Sequence, residues 1–262
     1  MHRSFSRAIA WALGVMAVAW ALLGLSFWLP SIDLGSPFSA WVVAWANTAD
    51  VACMVLIGVV LIGLLISRAG LSWRRRLQEI AIHIVVLALL QGGGALINEV
   101  LLKPSLAVYR PNIVWLAEEG ALGMTAEEFY ASMDKHQRQA ALEGILTDPD
   151  FDAIVLDVKV RNHWIHETGF SMPSGHTFSA LLFATYFLAI SILLLGDRRR
   201  WIFMVLPWWA VGVGWSRVLL RVHRPEDIVL GGLLGMALGL VAIALSYWLL
   251  RTLTTSTESQ PR

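Results

Sequence analysis

Long apolar runs separated by short polar breaks dominate this chain, and six of them approach the length of a helix that crosses a bilayer. They fall at about residues 8–29, 50–67, 80–102, 177–195, 201–219 and 228–249. A hydrocarbon core of about 30 Å needs about 20 helical residues at about 1.5 Å each. The second run is short. The third is interrupted by Gly92, Gly93 and Gly94, which lower helix propensity but admit a close neighbour.

One long segment, residues 113–168, breaks the pattern. It is polar and acidic, with Glu118, Glu119, Glu127, Glu128, Asp148, Asp150, Asp152 and Asp157 among its charges. Thr125 and Glu128 have the spacing of a capping box, which predicts a helix from there to about Leu146. Asp148-Pro149-Asp150 then ends it. Ala153 to Val160 reads as a short helix or a strand, and periodicity does not choose between them. Both ends of the segment attach to polar motifs, so it is expected to form a cap over them rather than a plain solvated loop.

Composition agrees with the pattern: 57% of residues are hydrophobic and 15% charged, with a mean hydropathy of +0.64. These values exclude an ordinary soluble domain, and nothing in them points to a nucleic-acid partner. The net charge of +1 is uninformative because the charges are segregated along the chain. Arg3 and Arg7 precede the first run, Arg68, Arg74, Arg75 and Arg76 lie between the second and third, and Arg198, Arg199 and Arg200 between the fourth and fifth. The positive-inside rule places these loops and both termini in the cytoplasm. The loop from Leu29 to Ala49, with Asp33 and no Lys or Arg, then lies outside. The first apolar run, about 22 residues, exceeds the 7–15 of a signal-peptide core and is expected to remain as a helix. Cys53 is the lone cysteine, which rules out an internal disulfide.

Three polar clusters remain, all on the predicted outer side: Lys103 with Arg110-Pro111; Pro173-Ser174-Gly175-His176; and Ser216-Arg217 with His223 and Asp227. Such groups are costly in apolar surroundings and point to function. Phosphate-ester hydrolysis demands strong stabilisation of charge on the nonbridging oxygens. Arginine forks match two of those oxygens at once, and lysine adds a mobile point charge. Any one of these cations alone reads better as a snorkelling interfacial residue. Glu99, four residues before Lys103, is placed to orient its ammonium. Ser174 is placed to cap the fourth helix, whose N-terminus attracts an anion, and Gly175 allows close backbone approach. His223 has Asp227 four residues on to hold one ring nitrogen, leaving the other free to attack. His176 is the candidate acid for the leaving oxygen, and a bell-shaped pH dependence is expected.

Taken together, the motifs resemble the type 2 phosphatidic acid phosphatase superfamily, whose signatures K-x6-RP, PSGH and SR-x5-H-x3-D occur here in order. The soluble vanadium haloperoxidases share that core, but the six apolar runs set this chain apart from them. Arg110-Pro111 with Ile113-Val114-Trp115-Leu116, Glu128-Phe129-Tyr130 and His163-Trp164-x2-Glu167-Thr168-Gly169-Phe170 is similar to the bacterial phosphatidylglycerophosphatase B family. The resemblance implies an all-α integral membrane protein with six transmembrane helices and a periplasmic helical cap at 113–168, within one domain spanning 1–262. It implies His223 as nucleophile, Asp227 as its partner and His176 as acid, with Lys103, Arg110, Ser174, Gly175 and Arg217 as phosphate ligands and no cofactor or metal. It also implies a phospholipid or polyprenyl phosphate substrate at the outer face of a bacterial cytoplasmic membrane: phosphatidylglycerol phosphate, phosphatidic acid, diacylglycerol pyrophosphate or undecaprenyl pyrophosphate. The insert is longer than the family pattern around residues 143–158. A lipid phosphotransferase using the same site, or a non-catalytic lipid binder or transporter, are the alternatives.

Weaker features have plainer readings. His163 and His166 flank Trp164 and resemble a metal pair without a third ligand, so packing or head-group contact is the expectation. His83 is expected to make an interhelical hydrogen bond. Trp28, Trp41, Trp45, Trp73 and Trp201, at the ends of the runs, fit interfacial anchoring.

Overall fold

The computed structural model describes residues 5–195 and 197–258, the side chains of 197, 198 and 254–258 excepted, so Arg3 and the side chain of Arg198 fall outside it. Every regular element among the described residues is helical. In chain order these are α1 (Phe5–Leu23, prolonged by the 3-10 turn Gly24–Trp28), α2 (Pro37–Ala46), α3 (Val51–Ile66) and α4 (Trp73–Leu87). Next come α5 (Gly93–Ile97), α6 (Lys103–Leu106), α7 (Pro111–Glu118), α8 (Ala126–Ser132) and α9 (Lys135–Thr147). The last are α10 (Val158–His166), α11 (Gly175–Leu194), α12 (Asp197–Arg200), α13 (Val205–Leu219) and α14 (Pro225–Glu258).

Among the described residues, five helical stretches are long and apolar enough to cross a membrane, or six if one bent pair counts as a single span. That pair is Pro37–Ala49 with Val51–Ile66, meeting at 61°. The second apolar run is therefore not a complete span by itself. α3 has 16 residues, roughly 24 Å of helix at 1.5 Å per residue, short of a 30 Å core. The segment expected to be a plain loop holds α2, started by Ser36, whose side chain accepts from the Ser39 N–H, and by Pro37 in its first turn.

α11 is the axis of the bundle. Nearly all its residues are buried, as a helix apolar all round requires, and α1, α13 and α14 pack around it. α14 approaches through Gly231, Gly235 and Gly239, one on each successive turn. A Cβ on Gly231 would lie 2.5 Å from the Ser174 carbonyl oxygen, one on Gly235 would collide with the Phe178 carbonyl oxygen, and one on Gly239 would meet the Thr185 Cβ at 2.8 Å. The glycine run singled out in the third span contributes less. Only Gly94 meets a neighbour, the Phe178 ring, while Gly92 and Gly93 face open space. Two π-helical turns, Ala88–Gly92 and Asn98–Leu102, carry the helix from α4 to α6 without breaking it.

The arginine-bearing loops gather at one end of the bundle. Arg68 and Arg75 pair with the buried Glu79 at 2.6 and 3.0 Å, Arg76 donates to the Ile66 carbonyl, and Arg199 donates to Ser67. His83, deeper in α4, meets the Tyr186 hydroxyl at 2.6 Å, the interhelical bond expected of it. All three polar clusters lie at the opposite end.

Residues 113–168 form α7 to α10 around their own apolar cluster. Phe129, Leu142, Val160 and Trp164 pack there with Leu34, Val42 and Val43 from the α2 region and with Leu220 and Val222. The Thr125–Glu128 capping box is present, but the helix it opens ends at Ser132. Met133 is extended, and a second capping box, Asp134 with Gln137, starts α9. That box gives the backbone a competing start signal, which splits the single expected helix. α9 ends at Thr147, just before Asp148-Pro149-Asp150. Residues 153–157 are neither helix nor strand, and Asp157 caps α10 by accepting from the Lys159 N–H.

Substituting valine at Gly235 forces overpacking against α11 backbone, a cost of about 1–3 kcal/mol. Its melting temperature in detergent is expected to fall by roughly 2–10 °C. The exchange Gly63→Ala, where nothing lies within 4 Å, is expected to leave melting unchanged. Equal melting of the two variants would contradict the close α11–α14 approach.

Candidate active site

Backbone hydrogen bonds sew the three sequence clusters together. The Asn112 N–H donates to the Arg221 carbonyl at 2.9 Å, Ser171 to Val108 at 2.8 Å, and Ser174 to Asp227 at 2.9 Å. Two of the connecting turns hold non-glycine residues in the left-handed region, Ala107 (φ 49°) and Arg221 (φ 56°). That conformation costs roughly 1–2 kcal/mol per residue and is held here by the surrounding bonds. Gly231 completes the alignment by lying directly against Ser174.

A cavity of about 880 Å³ opens where these segments meet. Lys103, Arg110, Gly175, His176 and His223 line it, together with Asp50, Glu99 and Glu167. Of the residues singled out by sequence, Ser174, Arg217 and Asp227 stand behind the wall. Ser174 accepts from the Thr177 N–H and so caps α11. The second π turn brings Glu99 and Lys103 toward the cavity, with Lys103 Nζ 2.6 Å from Glu99 Oε2. The bond anticipated from their spacing is therefore present.

Two guanidiniums form the centre of the site. Arg110, 2% exposed, donates to the carbonyls of Gly169 (2.8 Å) and Val222 (3.0 Å), and its other terminal nitrogen lies 2.7 Å from Glu167 Oε2. Arg217, fully buried, donates to Glu167 Oε1 and, at 2.8 Å, to His163 Nε2. Glu167 thus bridges both arginines. Burial alone would raise its carboxyl, but Arg110 and Arg217 outweigh that and hold it well below the ordinary carboxylate range. Burial, followed by Arg217, pushes His163 down to about 3, consistent with a neutral ring accepting from the guanidinium.

His223 is 2% exposed. Its Nδ1 lies 3.3 Å from Asp227 Oδ2, which also accepts from the Arg224 N–H at 2.8 Å. Its Nε2 lies 3.3 Å from an Arg110 terminal nitrogen, on the guanidinium that holds Glu167. Burial pushes this imidazole well below its ordinary value, and Arg110 and Arg217 push it further. His176 meets Asp50, with Nε2 2.9 Å from Oδ1.

Asp50 and the bridging role of Glu167 escaped sequence reasoning. Asp50 occupies the N-cap position of α3, where a capping carboxylate is the ordinary reading, but its side chain makes no cap bond and reaches His176 instead. For Glu167, the signal was the four-residue spacing from His163 on one helix face. His163 and His166 do not form a metal pair: His163 is committed to Arg217, and His166 Nδ1 lies 2.7 Å from the Asn162 carbonyl. Among the described residues no group of three or more His, Cys, Asp or Glu is arranged to hold a metal.

Comparison with known proteins matches this site. Residues 80–251, which include all three clusters, match the family model described as the PAP2 superfamily. Over 189 residues the chain is 31% identical to phosphatidylglycerophosphatase B of Escherichia coli K12, covering 72% of this chain and 69% of that protein. It is also 31% identical over 141 residues to phosphatidylglycerophosphatase B of Haemophilus influenzae, covering 52% of this chain and 54% of that protein. A shorter match, 37% over 76 residues, covers 29% of this chain and 34% of an undecaprenyl-diphosphatase of Sulfolobus acidocaldarius. With a family model matched over residues 80–251 and 31% identity over 72% of its length to one such relative, the chain belongs to the PAP2 superfamily, as a phosphatase and multi-pass membrane protein similar to phosphatidylglycerophosphatase B.

Proposed function

We propose that this protein removes the terminal phosphate of membrane lipids, phosphatidylglycerol phosphate foremost, through a phosphohistidine on His223. Phosphatidic acid, diacylglycerol pyrophosphate and undecaprenyl pyrophosphate present the same terminal group and fit the same chemistry. One observation carries the reading: the Arg110 guanidinium contacts both His223 Nε2 and the buried anion Glu167. A phosphate that takes the place of that carboxylate shares the Arg110 guanidinium with the ring nitrogen.

The steps follow from the groups present. The Nε2 lone pair attacks phosphorus while the bond to the leaving oxygen breaks and His176 donates a proton to that oxygen. Asp227 holds the Nδ1 proton and steadies the positive ring. Asp50, 2.9 Å from His176 Nε2, fixes the orientation of that ring. Water then attacks the phosphohistidine, His176 takes its proton, and the N–P bond breaks to release inorganic phosphate. Lys103, Arg110 and Arg217, the Ser174 cap and the Gly175 backbone stabilise charge on the nonbridging oxygens, so the scheme uses no metal. Residues 113–168 serve as a cap within a single membrane domain. With the arginine-rich end in the cytoplasm, the cavity opens on the periplasmic side of the inner membrane, and both termini lie inside.

The exchange His223→Ala is expected to lower phosphate release from phosphatidylglycerol phosphate at least roughly a thousandfold, and excess chelator to leave the parent rate unchanged. Persistence of turnover in the variant would end the proposal, and loss on chelation would end its metal-free form. Removing the acid, as in His176→Ala, is expected to cost about 10²–10⁴-fold on phosphatidic acid, whose leaving group is an alcohol. The cost should be smaller on a lipid diphosphate, whose leaving group is a phosphate. Equal losses on the two would contradict the assignment.

The nucleophile must be neutral, so activity is lost as pH falls through the His223 pKa. Because that value is depressed, the acid limb of kcat/KM is expected well below pH 6.5, with a separate alkaline limb as His176 loses its proton. A pH series on purified protein tests this, and an acid limb at or above 6.5 would contradict it.

A further inference from the structure

Beyond the phosphate cradle, the same cavity has a second basic wall that the hydrolytic steps do not use. Lys159, Asn162, His163 and His166 all line it, and their spacing places them on one face of α10. That face is fixed because Val160 and Trp164, on the opposite side, are fully buried, with Trp164 Nε1 donating to the Leu220 carbonyl at 2.8 Å. His163 touches Arg217, so Lys159, one turn away at about 5–6 Å between Cβ atoms, begins where the cradle ends. Lys159 has no ion pair among the described residues.

Lys135 enters from α9 and is also held in place. Arg138 donates to the Thr168 carbonyl at 3.0 Å and to the Met133 carbonyl at 2.7 Å, and the Thr168 hydroxyl donates to the Lys135 carbonyl. Lys135 Nζ lies 3.1 Å from Glu99 Oε1, while Lys103 holds the other oxygen of that carboxylate at 2.6 Å. Two ammonium groups therefore share one acid, which places Lys135 within a carboxylate's span of a cradle lysine. A phosphate bound to Lys103 leaves Glu99 to Lys135 alone, and Lys159, which lines the same cavity, has no carboxylate partner among the described residues.

We propose that Lys135 and Lys159, assisted by Asn162 and His166, form a second anion subsite, which binds the phosphate that stays on a lipid carrying two. The inference rests on the phosphatase reading above and names its preferred substrate class. The retained group is either a phosphodiester set apart by a short linker or a directly attached phosphate, and both present oxygens that lysine ammoniums, amide and imidazole groups can meet. A lipid with a single phosphate leaves the subsite empty. The cap thereby ranks substrates that the cradle alone treats alike.

The test compares kcat/KM for phosphatidylglycerol phosphate, diacylglycerol pyrophosphate and phosphatidic acid of one acyl composition in identical micelles. For the double variant Lys135→Ala with Lys159→Ala, the preference for a two-phosphate lipid over phosphatidic acid is expected to drop about tenfold or more. The exchange Lys135→Arg with Lys159→Arg is expected to keep it. A drop for only one of the two lipids supports the subsite and identifies whether the linked or the direct phosphate fills it. An unchanged preference for both overturns it. Binding of the same three lipids to full-length His223→Ala protein in nanodiscs, with and without the lysine changes, gives the ratio independently of turnover. If the parent hydrolyses none of the lipids, the phosphatase reading falls, and the binding ratio alone supports or overturns the subsite.

Discussion

Two buried guanidiniums side by side demand an anion between them. Arg110 and Arg217 are almost wholly removed from water, where unpaired charges are expensive and like charges repel. Glu167 meets the demand by accepting from both. The same demand underlies the proposal that the site receives phosphate, since any group that displaces Glu167 must bring comparable charge and geometry. Backbone carbonyls of Gly169 and Val222 fix the Arg110 fork, so its direction does not depend on the ligand. His223 and the helices of residues 113–168 are arranged around that pair of cations.

Holding the arginines together is a matter of backbone packing. The residues come from α6 to α7, α11, α13 and α14, and main-chain bonds from 112 to 221, 171 to 108 and 174 to 227 close the gaps. α14 can lie against the start of α11 because Gly231 has no side chain to push Ser174 away. In a membrane, where apolar burial gives little drive for helices to associate, such close contact supplies much of the attraction. Helix packing and site geometry thus depend on the same glycine.

Much of this was legible before any coordinates. Apolar run lengths located the long helices, Ser174 read correctly as a helix cap, and Glu99 with Lys103 read correctly as a bonded pair. Other features were readable but misweighted. The spacing of Asp134 and Gln137 is as clear a capping box as that of Thr125 and Glu128, yet a continuing helical pattern masked it. Glycines at 231, 235 and 239 carried a stronger packing signal than the run at 92–94, because regular spacing keeps them on one helix face while three in a row point in different directions.

By itself the sequence determined the membrane class, the helical content and the residue types proposed to handle phosphate, because these follow from local hydropathy and from motifs of fixed spacing. Only the tertiary structure decided which groups share a counterion. Glu167 on Arg217, Asp50 on His176 rather than on its own helix, and Lys135 on Glu99 are contacts across 50, 126 and 36 positions of chain. Spacing along a helix constrains partners three or four residues apart. Partners this distant are set by how whole helices pack, and no local pattern encodes that.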